Sequence, residues 1–364
     1  MTRPLRVVLV THDPFWRLGG GERTRNLALS WMLGQLFELH LYCLAPVGEG
    51  DRALLSRLRI NATLHPALPE VAAGLHGLID STSAGACIFA RIKLHALAMN
   101  LPPHVLRILD THDLVSDNVT SRARVGLAPW DHPMDFEQEM ALLACYDHVL
   151  LIQRDDHRRV AARLGPDRAL CVPHPVSFAR VPVRPQGRTL GFVGSAWQAN
   201  IDGLDWFARE VWPRFRDDAL EFHVWGTAGT RWKPPEDARI VRHGFVADYR
   251  AIWGAMDVAI NPVRWGSGLK IKTVEALGHG LPLVTTTEGA RGVENPDSAN
   301  FCVTDDPLRF ADTCLRWLDS PGERAQLGER AHALASRLFA PERCFVELIT
   351  ALRRAETSNK LTAR

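Results

Sequence analysis

No apolar run in this chain approaches the roughly 20 residues that a membrane-spanning helix requires. Cys-x-x-Cys spacing is also missing. The seven cysteines (Cys43, Cys87, Cys145, Cys171, Cys302, Cys314 and Cys344) are scattered, which argues against a zinc or redox pair and leaves buried free thiols as the expectation. There is no excess of one charge, because 43 Lys and Arg oppose 41 Asp and Glu for a net +2, so nothing global calls for a nucleic-acid partner. The apolar run Val7 to Val10 is too short for a secretory signal and meets His12 and Asp13 at once, so it reads as a first strand. A cytoplasmic protein is expected, a reading compatible with peripheral contact at the inner face of a membrane. The Asn61-Ala62-Thr63 sequon then carries no meaning.

What is present is ordinary globular composition, 46% hydrophobic and 23% charged, over 364 residues, long enough for two domains. Short β-branched runs alternate with helical patterns, the mark of parallel sheets with crossover helices. Strands are predicted at Arg6–Thr11, Glu38–Leu44, Leu106–Asp110 and His148–Ile152, with helices at Arg23–Leu33, stopped by Gly34, and Phe136–Tyr146. The proline-rich passage Pro173–Gly187 interrupts the alternation. It then resumes with strands at Leu190–Val193, Glu221–Trp225, Ile240–Val241, Val258–Asn261 and Leu283–Thr285. The interleaved helices are Gly203–Val211, Ala247–Ala255 and Leu269–Leu277, and a helical region Pro321–Arg353 precedes a frayed polar tail, Glu356–Arg364. The expected architecture is α/β: a Rossmann-like domain over residues 1–178, a linker over 179–187, a second doubly wound domain over 188–340, and a C-terminal helix and tail over 341–364.

Three constellations carry chemistry. Gly19-Gly20-Gly21-Glu22 follows the first strand and opens a helix, where exposed N–H groups and the helix dipole favour an anion. It departs from the Gly-x-Gly-x-x-Gly fingerprint, which weakens a dinucleotide reading; a flexible connection is the alternative. Asp110-Thr111-His112-Asp113 ends a candidate central strand, where open α/β sheets place ligand groups. His112 can orient a hydroxyl or move a proton with an aspartate fixing its tautomer, or the segment is a polar turn in which Asp113 caps the stretch of chain after it. The most informative stretch runs from Asn261 to Pro282. A strand ends, a loop with Gly266, Ser267 and Gly268 comes next, and a helix is expected to begin near Gly268 with Lys270 and Lys272 in its first turn. Cations there oppose the helix dipole, and an anion between them reverses the sign. Gly268, Lys272 and Glu275 fall at i, i+4 and i+7 on one helical face, suited to a diphosphate at one end and, at Glu275, to ribose hydroxyls. The alternative is a surface Lys272–Glu275 ion pair.

Residues Gly266 to Pro282 resemble the G-x-G-x-K-x-K-x-x-E-A…G-x-P signature of GT-B enzymes in glycosyltransferase family 4. Gly191 to Ser195, Asn200 to Leu204 and Trp206-Phe207 resemble the strand, loop and helix that open the C-terminal domain of that family. Thr285-Thr286 and Gly289 to Gly292 resemble the loop after its donor helix. The likeness covers most of the chain and is loosest over Asp51 to Met99. It implies two Rossmann-like domains facing across a cleft, and retaining, metal-independent transfer from a UDP- or GDP-sugar to a glycan, lipid-linked or small-molecule acceptor in polysaccharide biosynthesis, with no separate cofactor. By the same resemblance, Gly20, Gly21, Gly194, Ser195, Ser267, Gly268, Leu269, Lys270, Lys272 and Glu275 hold the donor, with Glu275 on the ribose and main-chain N–H groups plus lysine on the diphosphate. His112, Asp113 and Lys270 are the candidate catalytic residues. Two departures stand out: Ser267 occupies a position where many members carry glutamate, and Asn200 lies where a Lys-Gly is usual. A 2-epimerase-like enzyme and a non-catalytic nucleotide-sugar-binding partner are the alternative readings.

Overall fold

The computed structural model describes residues 4–17, 19–128, 133–246, 249–294 and 299–362, without the side chains of Tyr249 and of residues 358–362. Its first sheet contains seven parallel strands: β1 (Arg6–Thr11), β2 (Glu38–Cys43), β3 (Thr63–Pro66), β4 (Ala86–Ala90), β5 (Leu106–Asp110), β6 (His148–Leu151) and β7 (Ala169–Cys171). They lie in the order β3-β2-β1-β4-β5-β6-β7. The second sheet contains β8 (Thr189–Val193), β9 (Glu221–Trp225), β10 (Ile240–Arg242), β11 (Val258–Asn261), β12 (Leu283–Thr285) and β13 (Cys302–Val303), in the order β10-β9-β8-β11-β12-β13. Helices cover both faces, which is why Val7 to Val10 and Ala86 to Ala90 are buried without alternation. Strand order reverses between β1 and β4 and again between β8 and β11. Those are the switch points beyond which open α/β sheets take ligands.

Strands β3, β4, β7 and β13 were not anticipated. β4 reads Ala-Cys-Ile-Phe-Ala, with a single β-branched residue, while β3 ends in Pro66 and β7 and β13 are very short. The first helix runs Gly21–Leu36, past the expected stop at Gly34. Gly34 is there for close approach instead, since a Cβ on it would sit 2.4 Å from the Asn61 carbonyl oxygen. The helix expected at Gly203–Val211 begins at Gln198 and ends in a π-turn over Phe207–Val211. The helix expected from Ala247 is described as Tyr249–Gly254; its first two expected residues lie outside the described ones. The terminal helical region starts earlier and is broken, into Pro307–Asp319, Pro321–Phe339, Pro341–Cys344 and Val346–Thr362. The tail from Glu356 is therefore helical through Thr362, with residues 363–364 outside the described ones.

Residues 172–188 join β7 to β8 without helix or strand. The Val346–Thr362 helix then returns to the first sheet. The Cys171 N–H donates to Glu347 Oε2 (2.6 Å), and Leu348 and Leu352 share a core with Leu170 and Val172. The chain thus passes between the two sheets twice.

Candidate active site

The carboxyl ends of the central strands of both sheets open onto one cleft of about 890 Å³. On its first wall, Gly19 and Gly20 adopt φ of 108° and 86° and deliver the chain into the Gly21–Leu36 helix. This turn lies against the second domain: a Cβ on Gly20 would be 3.6 Å from Ser195 Cβ, and one on Gly21 3.3 Å from Ile271 Cδ1. Behind it, Arg25 and Asp110 form a wholly buried two-point ion pair (Nε–Oδ2 and Nη2–Oδ1, both 3.1 Å). Burial by itself would raise the Asp110 carboxyl, but Arg25 and His112 more than offset it and hold it well below the usual carboxylate range. His112 Nε2 lies 3.3 Å from Asp110 Oδ2 and 3.2 Å from Asn26 Oδ1. Two acceptors at one nitrogen select the Nε2–H tautomer in the neutral ring and leave Nδ1 as an acceptor. His112 also holds φ at +61°, a left-handed conformation that costs a non-glycine residue roughly 1–3 kcal/mol and collects at functional sites.

The second wall is the entrance of the Ile271–Gly278 helix. It starts later than expected: Lys270 is its N-cap, Gly268 stands outside it at φ +64°, and the first turn contains no acid. Lys270 Nζ is within reach of Glu288 Oε1 (2.7 Å) and the Ser267 and Gly268 carbonyls (3.2 and 3.4 Å), which occupies its three N–H groups. Lys272 donates to Asn200 Oδ1 and lies over the Phe192 ring at 4.5 Å. It does not pair with Glu275, so the expected alternative of a surface ion pair is not what forms. Burial, then the neighbouring Lys270, pushes the Lys272 ammonium down to about 7 against the pull of Glu275. Burial pushes the Glu275 carboxyl up to about 8, opposed by Lys272. For Lys270, burial lowers the ammonium despite Glu288.

The two walls touch. Ser267 Oγ donates to Asp113 Oδ2 (2.6 Å), Asn118 Nδ2 to Ser267 Oγ (3.2 Å), and the Gly266 N–H to Ser121 Oγ (2.8 Å). Along one flank Arg291 pairs with Asp117 and Arg154 with Glu294 (2.5 Å). Asp113 does not cap the Val115–Arg124 helix. Its N-terminal N–H groups are taken by Glu139, from Val115 (2.8 Å) and Ser116 (3.0 Å).

Of the residues singled out in the sequence, Gly20, Gly21, His112, Asp113, Gly194 and Ser195 line this cleft, as do Ser267, Leu269, Lys270, Lys272 and Glu275. Gly268 does not; it packs on the opposite domain. Arg91, Asn118, Trp197 and Phe245 line the cleft and were missed. Arg91 sits at φ +81° after β4 and joins Glu22 to Asp113, each at 3.2 Å; the unanticipated strand hid it. Among the described residues no group of three or more His, Cys, Asp or Glu side chains gathers to hold a metal, and no helix is long and apolar enough to cross a membrane.

Comparison with curated proteins by sequence finds no match. Residues 187–320 match the family described as Glycosyl transferases group 1. Solved structures align over almost the whole chain. TarM of S. aureus superposes with a TM-score of 0.74 at 9% identity, over 96% of this chain and 98% of its own. HepE of Anabaena, in complex with UDP-glucose, gives 0.68 at 13%, over 99% and 100%. WaaG, a glycosyltransferase involved in lipopolysaccharide biosynthesis, gives 0.59 at 12%, over 93% and 98%. The chain therefore has the GT-B fold, two Rossmann-like domains facing across a cleft, and its second domain matches Glycosyl transferases group 1.

Proposed function

We propose that this protein is a retaining, metal-independent glycosyltransferase that moves a sugar from a UDP- or GDP-sugar to a hydroxyl of a glycan, lipid-linked or small-molecule acceptor. One observation supports it above the others: a helix entrance carrying two lysines and no acid faces a glycine turn on a second helix N-terminus across a single cleft. Both entrances suit a diphosphate. In transfer, the acceptor oxygen bonds to the anomeric carbon as that carbon's bond to the diphosphate breaks, and the hydroxyl proton ends on the departing diphosphate. Lys272 meets the charge gained by the leaving group in place of Lys270, the candidate catalytic lysine of the sequence, whose contacts with Glu288 and two loop carbonyls make it a brace for the loop, and Glu275 accepts from the ribose hydroxyls. His112 Nδ1 accepts from a sugar hydroxyl, and Asp113 lies beside the reacting centre.

UDP or GDP should raise the melting temperature, since a ligand at 100 times its Kd stabilises by about 2.7 kcal/mol; no shift with any nucleoside diphosphate overturns the donor site. With radiolabelled sugar nucleotides and extract acceptors, a new glycoconjugate supports transfer. An isomerised donor indicates an epimerase, and a bound but unchanged donor a non-catalytic partner. EDTA should leave turnover intact because lysine and helix N–H groups take the charge; activity restored only by manganese or magnesium overturns metal independence.

Nucleotide binding should also move protons in opposite directions at two residues. Near pH 8, diphosphate raises Lys272 from about 7 and draws a proton in, whereas ribose hydroxyls lower Glu275 from about 8 and release one. Titration calorimetry with UDP in buffers of different ionisation enthalpy should show net uptake for Glu275→Gln and net release for Lys272→Met. The same sign in both variants contradicts the assignment.

A further inference from the structure

We infer that Ser267 is a positioning residue: from the second domain it sets the Asp113 carboxylate of the first beside the donor, so that closing the cleft and placing this charge are one event. The inference rests on the proposed function and concerns regulation of the same site. The Ser267 hydroxyl is polarised in one direction, receiving Asn118 Nδ2–H at 3.2 Å and donating to Asp113 Oδ2 at 2.6 Å. The other carboxylate oxygen, Oδ1, takes Arg91 Nη2 at 3.2 Å. The two oxygens are thus held from opposite sides, one by its own domain and one across the cleft.

The contact is built, not incidental. Gly266, Ser267 and Gly268 each meet the first domain, and at Gly268 a Cβ would lie 2.9 Å from both Asp113 Cβ and the His112 carbonyl oxygen. With φ at +64° and no space for a side chain, Gly268 is required for this approach. Between Asn261 and Glu275 the loop and helix entrance contain no acid. The anomeric carbon becomes positive as its bond to the diphosphate breaks, and a carboxylate beside it stabilises that charge. Among the cleft carboxylates, Asp13 stands beside its neighbour His12 (3.3 Å), Glu22 is drawn to Arg91 and Glu275 lies further along the helix. Asp113 is the one delivered to the loop, and Ser267 is what receives it. With the domains apart, Oδ2 loses its partner and the carboxylate is free to turn toward Arg91.

The test is steady-state release of nucleoside diphosphate from UDP-glucose or GDP-mannose, whichever the wild-type protein turns over, together with the UDP- or GDP-induced melting shift. Ser267→Ala should lower kcat by about 10- to 100-fold, the range for loss of a hydrogen bond to a charged group. Donor KM and the melting shift should stay within about twofold, and Ser267→Thr, which keeps the hydroxyl, should restore most of the rate. Adding Ser267→Ala to Asp113→Asn should cost nothing more than Asp113→Asn alone, because the hydroxyl acts through that carboxylate. Unchanged kcat in Ser267→Ala, an effect confined to donor KM, or losses that multiply in the double variant overturn this inference alone. A wild-type protein that neither binds nor turns over a nucleotide-sugar overturns the proposed function and this inference with it.

Discussion

Lys272→Ala is expected to lower kcat by about 10²- to 10³-fold, the usual cost of removing one electrostatic group that meets charge developing in a transition state. Two lysines stand at the same helix entrance, and their partners separate them. The Lys270 ammonium already has three acceptors, one of them the Glu288 carboxylate, so it braces the loop that carries Ser267. Lys272 has one neutral acceptor among the described residues, Asn200 Oδ1, and an aromatic face, and burial, then Lys270, pushes its ammonium down to about 7. A diphosphate that gains charge as it leaves is the partner it lacks. Lys270→Ala should therefore act mainly through the loop, with a smaller fall in kcat. Glu275→Ala should raise donor KM with kcat largely kept, because the ribose does not change charge during transfer. Circular dichroism excludes misfolding. Collapse of kcat in Lys270→Ala with a near-normal Lys272→Ala reverses the two roles; if both are harmless, this entrance is not a phosphate site.

Arg25→Met is expected to destabilise the protein by about 3–5 kcal/mol, because it leaves the Asp110 carboxylate buried without its cation. Arg25 also donates to the Pro173 carbonyl (2.8 Å), so the side chain ties the first helix, β5 and the start of the interdomain passage at one point. At roughly 2–4 °C per kcal/mol for a domain of this size, the melting temperature should fall by roughly 6–20 °C. A loss below about 1 kcal/mol by urea unfolding would show that the pair is not a principal support. Acid should act in two stages. His174 is buried, and burial, then Arg25, pushes it down to about 3, whereas in the unfolded chain it titrates near 6.5. The unfolded state binds the extra proton, so this contribution is present above about pH 6.5 and is lost as pH falls toward 3. The depressed Asp110 carboxyl comes next, its contribution intact above about pH 4 and lost below it.

Most of the sheet framework was legible because parallel strands buried on both faces are dense in β-branched and aromatic residues. β1, β5, β9, β11 and β12 have the limits that their composition suggests. What escaped was β4, whose alanines and cysteine serve equally well in a helix, and with it Arg91. The donor-side residues were legible because glycines and lysines cluster locally between Gly266 and Lys272. Their register was not. Starting the helix at Ile271 rather than near Gly268 turns Lys270 into a cap and removes Gly268 from the face shared by Lys272 and Glu275. Asp113 and Ser267 each stand out in the sequence, but their hydrogen bond joins positions 154 apart in the chain, and no local pattern encodes such a pairing.

The second passage of the chain has a mechanical consequence. One flexible tether would let two bodies swivel and drift apart, whereas two separate tethers, at residues 172–188 and again just before Val346, leave rotation about the line between them as the soft coordinate. Such a double connection limits lateral displacement of one domain against the other. Asn118, Ser121 and Asp113 lie opposite residues 266–268, and a double tether would lower the ordering entropy that meeting there costs if the domains part and close again in the proposed transfer.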